Sequence, residues 1–339
     1  MPTGEAMDCP SIMVFEAKDG QIFIPKAGCP HGDSMKKDLL SMIDLRDEVH
    51  ILLDMAANIK EWQKTNQPYE PLRGKSLGMI FEKSSTRTRV SFEVGMTQLG
   101  GHGIYLNPKD IQMGRGETVA DTARTLSRFV DGIIYRAFDW KMVKELAENA
   151  TVPVINALDN REHPCQIMAD LLTIREKKGK FEGIKLAYVG DGNNVCNSLL
   201  LGAAFVGMNM TAACPKGYEP DKELLNYAIH AARDTKCTIE VIEDPRKAAE
   251  EADVLYTDVW VSMGEEAQKE EKEKLFMPYQ INEKLLAQAK SGCIVMHCLP
   301  AHRGLEISAD VIDGPQSVVF DEAENRLHAQ KAILARLIG

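Results

Sequence analysis

From Met35 onward the chain alternates between two hydrophobic periods. Leu39 to Trp62 carries apolar residues at helical spacing, among them Leu45, Val49, Leu52, Leu53 and Ala56, which predicts a helix. Short apolar runs then alternate with longer amphipathic ones. Strands are predicted over 76–81, 104–106, 132–135 and 152–157. Helices are predicted over 86–99, 118–130, 140–149 and 164–176, the last with Pro164 in its first turn. The alternation restarts at the strand Ile184 to Val189, bounded by Gly183 and Gly190. Strands at 210–213, 238–242, 254–260 and 293–297 follow, with helices at 193–206, from 222, and at 323–337.

This order predicts an α/β fold of two doubly wound domains with parallel sheets, a cleft between them, and a last helix closing the chain. In such sheets ligands lie beyond the carboxyl ends of the strands. Residues 1–34 stand outside the pattern. Ser11 to Phe15 and Gln21 to Ile24 are rich in β-formers and flank Asp19-Gly20, a hairpin-turn dipeptide. An ordered arm and an unstructured extension ahead of Met35 both remain open. The segment holds Asp8, Glu16, Asp19 and Asp33 and no arginine, unlike an organelle transit peptide.

Composition narrows the class. Hydrophobic residues at 44% and charged residues at 27% are the balance of a globular protein rather than a disordered or fibrous one. A formal charge of -10 excludes nucleic acid as a bulk partner while leaving room for a local basic pocket. Eight cysteines without a C-x-x-C pair read as reduced thiols of a cytoplasmic protein. No apolar run is long enough to span a membrane.

Candidate chemistry lies just after the predicted strands. The first strand runs into Ser84-Ser85-Thr86-Arg87-Thr88-Arg89, where hydroxyls, guanidiniums and the N–H groups of a helix start converge as an anion site. An ordinary N-cap would need one hydroxyl and no arginine. Arg136 ends another strand, where an arginine alone is commonly a solvated charge. His163 and Gln166 share one face at the start of the long helix, placed to polarise a carbonyl and hold an amide. Gly190-Asp191-Gly192-Asn193-Asn194 suggests a dinucleotide fingerprint, but Val195 occupies the third glycine position and no acid ends the following strand at Ala213. Asn194 there suits a carboxylate or an amine instead.

Asp258, followed by Ser262-Met263-Gly264, suits an ammonium group, although many such acids only cap turns. In Met296-His297-Cys298-Leu299-Pro300 the cysteine is either a thiol nucleophile or a small buried residue. Cys298, His297 and His302 match no trusted zinc spacing, so no metal is assigned.

Taken together, Ser85-Thr86-Arg87-Thr88-Arg89, His163-Pro164-Cys165-Gln166, Asp258 with Ser262-Met263-Gly264, and His297-Cys298-Leu299-Pro300 resemble the ornithine carbamoyltransferases, in order from about Met35 to the C-terminus. The resemblance implies a carbamoyl-phosphate domain over 35–168, an ornithine domain over 169–319, and a C-terminal helix over 320–339 that crosses back to the first. Residues 1–34 have no counterpart in it. It implies that Ser85, Thr86, Arg87 and Thr88 hold the phosphate and that Arg136 reaches phosphate and carbonyl oxygen. It further implies that His163 and Gln166 orient the carbamoyl group, and that Gln112, Cys298, Leu299 and Arg326 complete that pocket. Asn194, Asp258, Ser262 and Met263 would hold the amino-acid end of ornithine. Catalytic roles fall to Arg136, His163 and Cys298, with Cys298 binding and handling protons rather than becoming carbamoylated.

The expected partners are carbamoyl phosphate and L-ornithine, with citrulline and phosphate as products, in a homotrimer or multiple of trimers, and no cofactor. Putrescine or an acylated ornithine is the rival acceptor. A non-catalytic relative is the rival class, expected to have lost Arg87, His163 or Cys298.

Overall fold

The computed structural model describes residues 36–113, 115–261 and 269–339, together with the backbone of 17–18 and 21–22. Within the arm, β1 (Ala17–Lys18) pairs antiparallel with β2 (Gln21–Ile22), Ala17 opposite Ile22. The strand predicted at 11–15 lies outside the described residues.

The rest is built on two parallel sheets. The first lobe runs α1 (Val49–Lys64), β3 (Ser76–Phe81), α2 (Thr86–Gln98), β4 (His102–Leu106), α3 (Val119–Leu126), β5 (Gly132–Arg136), α4 (Trp140–Asn149), β6 (Val154–Leu158) and α5 (Pro164–Lys178). Its strand order is β4-β3-β5-β6. The second lobe runs β7 (Lys185–Val189), α6 (Asn194–Val206), β8 (Asn209–Ala213), α7 (Lys222–Thr235), β9 (Ile239–Ile242), α8 (Pro245–Ala249) and β10 (Val254–Thr257). It continues with α9 (Lys269–Phe276), α10 (Glu283–Leu286), β11 (Ile294–His297), α11 (Ala309–Ile312) and α12 (Val319–Ile338), in strand order β11-β10-β7-β8-β9. All pairings in both sheets are parallel. Their central strands are covered on both faces, which is why they read as unbroken apolar runs such as Leu77 to Phe81 and Leu186 to Val189.

The first predicted helix differs from the structure. Leu39 bridges Ile155 and bonds the backbone on either side of it, so the chain enters along the open edge of β6. A 3₁₀ turn, Met42–Leu45, follows, capped reciprocally by Ser41 and Asp44, and α1 begins only at Val49. Apolar spacing could not separate an edge bridge from a helix start.

Helix α5 is the spine between the lobes. Every residue from Pro164 to Ile174 is buried, as expected of a helix with apolar contacts all round. It packs against α6, α12 and β6, and α12 also lies across α1 and α2 of the first lobe. The approach of α12 is close enough that a Cβ at Gly95 would meet Lys331 Cγ at 3.3 Å.

Candidate active site

The carboxyl ends of both sheets bring several of the predicted residues together. Ser85 is the N-cap of α2, its hydroxyl accepting the Thr88 N–H at 3.2 Å. Thr86 is exposed on the first turn, Arg87 is half-buried and Thr88 is buried. Ser85 is thus an ordinary cap, but the arginine is not surface charge: Arg87 donates to the Leu299 carbonyl across the cleft at 2.6 Å. Leu299 holds φ 58°, an uncommon conformation for a branched residue. Its N–H donates to His297 Nδ1 at 2.8 Å, so the two bonds fix the peptide groups on either side.

Arg136 ends β5 where the pairing with β6 shifts register between Tyr135 and Arg136. Such an irregularity re-aims a side chain. Burial, then the charges of Arg326 and Arg87, brings the Arg136 guanidinium down to about 10. His163 is the N-cap of α5, its backbone N–H bonded to Ser198 Oγ at 2.9 Å. Burial first, then Arg326, Arg136 and Arg87, pushes its imidazole well below the usual range, so it is neutral at physiological pH. Arg326 on α12 donates to Gln166 Oε1 and to Thr88 Oγ1, the latter at 3.0 Å. Arg136 Nε, Arg326 Nε and His163 Nδ1 are buried without a hydrogen-bond partner in the protein. Three mutually repelling guanidiniums and a neutral imidazole with unspent polar atoms can accept a small anion and donate to a neutral acceptor.

On the opposite wall the Cys298 thiol donates to Asp258 Oδ1 at 3.0 Å, and Asn193 Nδ2 donates to Asp258 Oδ2 at 2.8 Å. Burial, then the Asp258 carboxylate, pushes the thiol well above its usual range, so it stays protonated. Strand β10 ends at Thr257, three residues earlier than predicted, which leaves Asp258 just beyond the strand rather than within it. Ligand atoms of Asp258, His297 and Cys298 lie within 4.8 Å of one another. The His297 ring is already engaged, Nδ1 by Leu299 and Nε2 by Glu306 at 3.3 Å, and the Cys298 proton is engaged by Asp258, so the group is a hydrogen-bond chain. His302 is largely exposed and outside it.

Other predicted residues are placed differently. Asn194 donates to the Asp159 carbonyl at 2.7 Å; it is its neighbour Asn193 that meets Asp258. Gln166 has both ends of its amide engaged, by Arg326 and by Asp170 and Glu322. Gln112 is exposed on the turn after Asp110 and, among the described residues, makes no hydrogen bond to the cluster. Ser262 and Met263 lie outside the described residues. The Gly-Asp-Gly turn that resembles a dinucleotide fingerprint has a packing reason. A Cβ at Gly192 would fall 2.3 Å from the Pro220 nitrogen, so only glycine fits.

The sequence reading gave no role to Asn193, Asp170, Glu322 or Tyr256. For two of them a signal existed: Asp170 follows Gln166 by four, and Glu322 precedes Arg326 by four, so each acid shares a helix face with a site residue.

Known proteins share both lobes. Residues 37–176 match the family model for the aspartate/ornithine carbamoyltransferase carbamoyl-P binding domain, and 182–337 match the model for its Asp/Orn binding domain. The chain belongs to the aspartate/ornithine carbamoyltransferase family. Within it, the chain is similar to the ornithine carbamoyltransferase of Methanosarcina mazei, 57% identical over 305 residues covering 90% of this chain and 100% of the relative. A Thermoplasma volcanium protein called a catabolic ornithine carbamoyltransferase is 53% identical over 304 residues, covering 90% of this chain and 99% of that one. The structure of ornithine carbamoyltransferase from Pyrococcus furiosus superposes with a TM-score of 0.87 at 53% identity, covering 90% and 97% of the two chains. The fold is therefore that of a two-domain carbamoyltransferase with its C-terminal helix.

Proposed function

We infer that the chain transfers the carbamoyl group of carbamoyl phosphate to the side-chain amine of L-ornithine, giving L-citrulline and phosphate. The observation that carries this reading is the convergence of Arg87, Arg136, Arg326 and neutral His163, with buried polar atoms left over, opposite Asp258 and Cys298.

In this reading Ser85, Thr86, Arg87 and Thr88 hold the phosphate with the N–H groups that open α2. Arg136 bridges a phosphate oxygen and the carbonyl oxygen, and His163 donates a neutral hydrogen bond to the latter. Gln112 lines the same pocket, and Leu299 closes it through the carbonyl that Arg87 holds. Gln166 acts on the carbamoyl group by fixing Arg326, since its own amide is engaged. Asp258, with Asn194, Ser262 and Met263, receives the amino-acid end of ornithine. The neutral side-chain amine attacks the carbonyl carbon, the tetrahedral intermediate collapses, the C–O bond to phosphate breaks, and the amine's proton leaves with phosphate. Preorganised donors of this kind typically contribute a factor of ~10²–10³ each.

The Cys298 thiol, held protonated against Asp258, binds and passes protons rather than attacking. We assign carbamoyl-phosphate binding to 35–168, ornithine binding to 169–319, and a bridging role to 320–339. A homotrimer joined through the first lobe has support in Val90 and Val94, four apart on the outer face of α2, and Ile104 on β4, all substantially exposed. Unpaired thiols at Cys165, Cys196, Cys214, Cys237, Cys293 and Cys298 suit the cytoplasm, and among the described residues no helix is long and apolar enough to cross a membrane.

The test is a citrulline assay with carbamoyl phosphate and, in parallel, ornithine, putrescine, N-acetylornithine and aspartate. Turnover with ornithine alone is expected. Turnover with another amine would keep the donor site and remove the acceptor assignment, and inactivity with all would remove the reaction. Because the attacking amine must be neutral, kcat/KM is expected to rise from pH 7 to pH 9, measured under subsaturating ornithine; a flat profile contradicts the amine step.

A further inference from the structure

Beneath the arginines lie two carboxylic acids that the reaction above does not use. Asp170 on α5 and Glu322 on α12 are both completely buried. They share their donors. Gln166 Nε2 donates to Asp170 Oδ1 at 2.8 Å and to Glu322 Oε1 at 3.1 Å. The Tyr256 hydroxyl lies 3.0 Å from Asp170 Oδ2 and 3.3 Å from Glu322 Oε1. Glu322 Oε2 accepts the His297 backbone N–H at 3.0 Å, at the entrance to the Cys298-Leu299 loop.

We propose that Asp170 and Glu322 hold one proton between them, on Glu322, and that the resulting singly charged pair is the positioning element that orients Gln166 and Arg326 for carbamoyl phosphate. This deepens the proposed function and rests on it. The argument is one of charge and donors. Two adjacent carboxylates cut off from water do not both ionise unless cations offset them. The groups facing the pair are Gln166 from α5, Arg326 from α12, Tyr256 from β10, the His297 N–H at the end of β11 and the Cys298 thiol beyond it, with Asp258 behind the thiol. Arg326 is the one cation among these described groups, and its two terminal nitrogens donate to Gln166 and Thr88. One proton leaves a net charge equal and opposite to Arg326.

The donors agree with this count. The Gln166 NH₂ must face acceptors, which turns its carbonyl to Arg326. Asp170 then accepts from Gln166, Tyr256 and the Glu322 O–H. Both shared donors lie nearer Asp170, at 2.8 and 3.0 Å, than Glu322, at 3.1 and 3.3 Å, which places the charge on Asp170 and the proton on Glu322; burial is the main cause that raises both acids. A second negative charge would compete with Thr88 for Arg326; a second proton would set a donor against the Gln166 NH₂.

The experiment compares Glu322→Gln, Glu322→Ala and Asp170→Asn. Glutamine reproduces the protonated acid, so Glu322→Gln is expected to lose no more than ~10-fold in kcat/KM for carbamoyl phosphate. Glu322→Ala and Asp170→Asn are expected to lose ~10²-fold, the scale of one mispositioned donor. Infrared difference spectra at pH 8.5 supply a readout that a merely structural role leaves unmoved. The wild type shows a protonated-carboxyl band that Glu322→Gln abolishes. Absence of the band, its survival in Glu322→Gln, or a Glu322→Gln loss equal to that of Glu322→Ala overturns the proposal. If Asp170→Asn does not fold, the two Glu322 variants still decide. The band does not depend on turnover, so a chain inactive toward ornithine would remove the activity without removing the shared proton.

Discussion

Cys298 shows how environment decides a residue's chemistry. A thiol nucleophile needs its thiolate, and cysteines that react sit beside cations that lower their pKa. Here burial and the Asp258 carboxylate act in the opposite direction, and the proton is committed to Asp258 Oδ1 at 3.0 Å. Rapid-quench mass spectrometry during turnover is therefore expected to find no carbamoyl adduct on Cys298. Cys298→Ser, which keeps a donor to Asp258, is expected to retain activity to within roughly the 10²-fold typical of one altered polar group. Loss of a covalent nucleophile costs far more. Arg87 is the opposite case, a half-buried cation whose fork reaches across the cleft to Leu299 at 2.6 Å. Arg87→Gln is expected to lower kcat/KM for carbamoyl phosphate ~10²–10³-fold, with a melting temperature close to wild type; equal losses in both would make the residue structural.

The turn between β6 and α5 carries His163, and its backbone is held by a buried acid. Glu162 Oε2 accepts the Met42 N–H at 2.9 Å and the Ser198 hydroxyl at 3.2 Å, so one carboxyl joins the entering chain, the turn and α6. Burial raises it from the usual 4.5 to about 7. The folded chain therefore binds a proton that the unfolded chain releases, and this contribution is complete below about 4.5 and lost as pH rises through about 7. A shift of this size corresponds to a few kcal/mol, about 1.4 per pH unit. Glu162→Gln cannot titrate, so its melting temperature relative to wild type is expected to improve from pH 5 to pH 8; an unchanged difference would show that Glu162 ionises freely in the fold. Elements of this kind divide by how well a sequence displays them. The strand Ser76–Phe81 and helix Trp140–Asn149 were legible to the residue, because parallel strands buried on both faces form unbroken apolar runs and Asp139 caps the helix. The site loops were legible only as neighbourhoods. Adjacent amides at Asn193 and Asn194 carry the same chemistry, and which one meets Asp258 is set by the cap geometry of α6. The acids under the arginines escaped notice because each comes from a different helix and their pairing depends on how α12 crosses α5.

At the scale of the molecule, the match to relatives and the outer surface bear on assembly. Val90, Val94 and Ile104 are exposed apolar residues on the first lobe, and they are the support for the proposed trimer. Val94→Glu is expected to convert a trimer measured by sedimentation into monomers; a wild type already monomeric would remove the assembly. The arm stands apart from this. The family models begin at residue 37, and 305 residues of this chain span the whole of a Methanosarcina mazei relative. Both lobes, the cleft residues and α12 therefore lie within a length that relatives possess without it. Inside the arm the described structure is a pair of two-residue strands, too short to be stable by itself. None of the groups assigned to either substrate comes from it. Deletion of residues 1–35 is accordingly expected to leave kcat, both KM values and the sedimentation coefficient per protomer set unchanged. A fall in activity with intact assembly would place the arm at the cleft, whereas a loss of assembly would make it part of the interface.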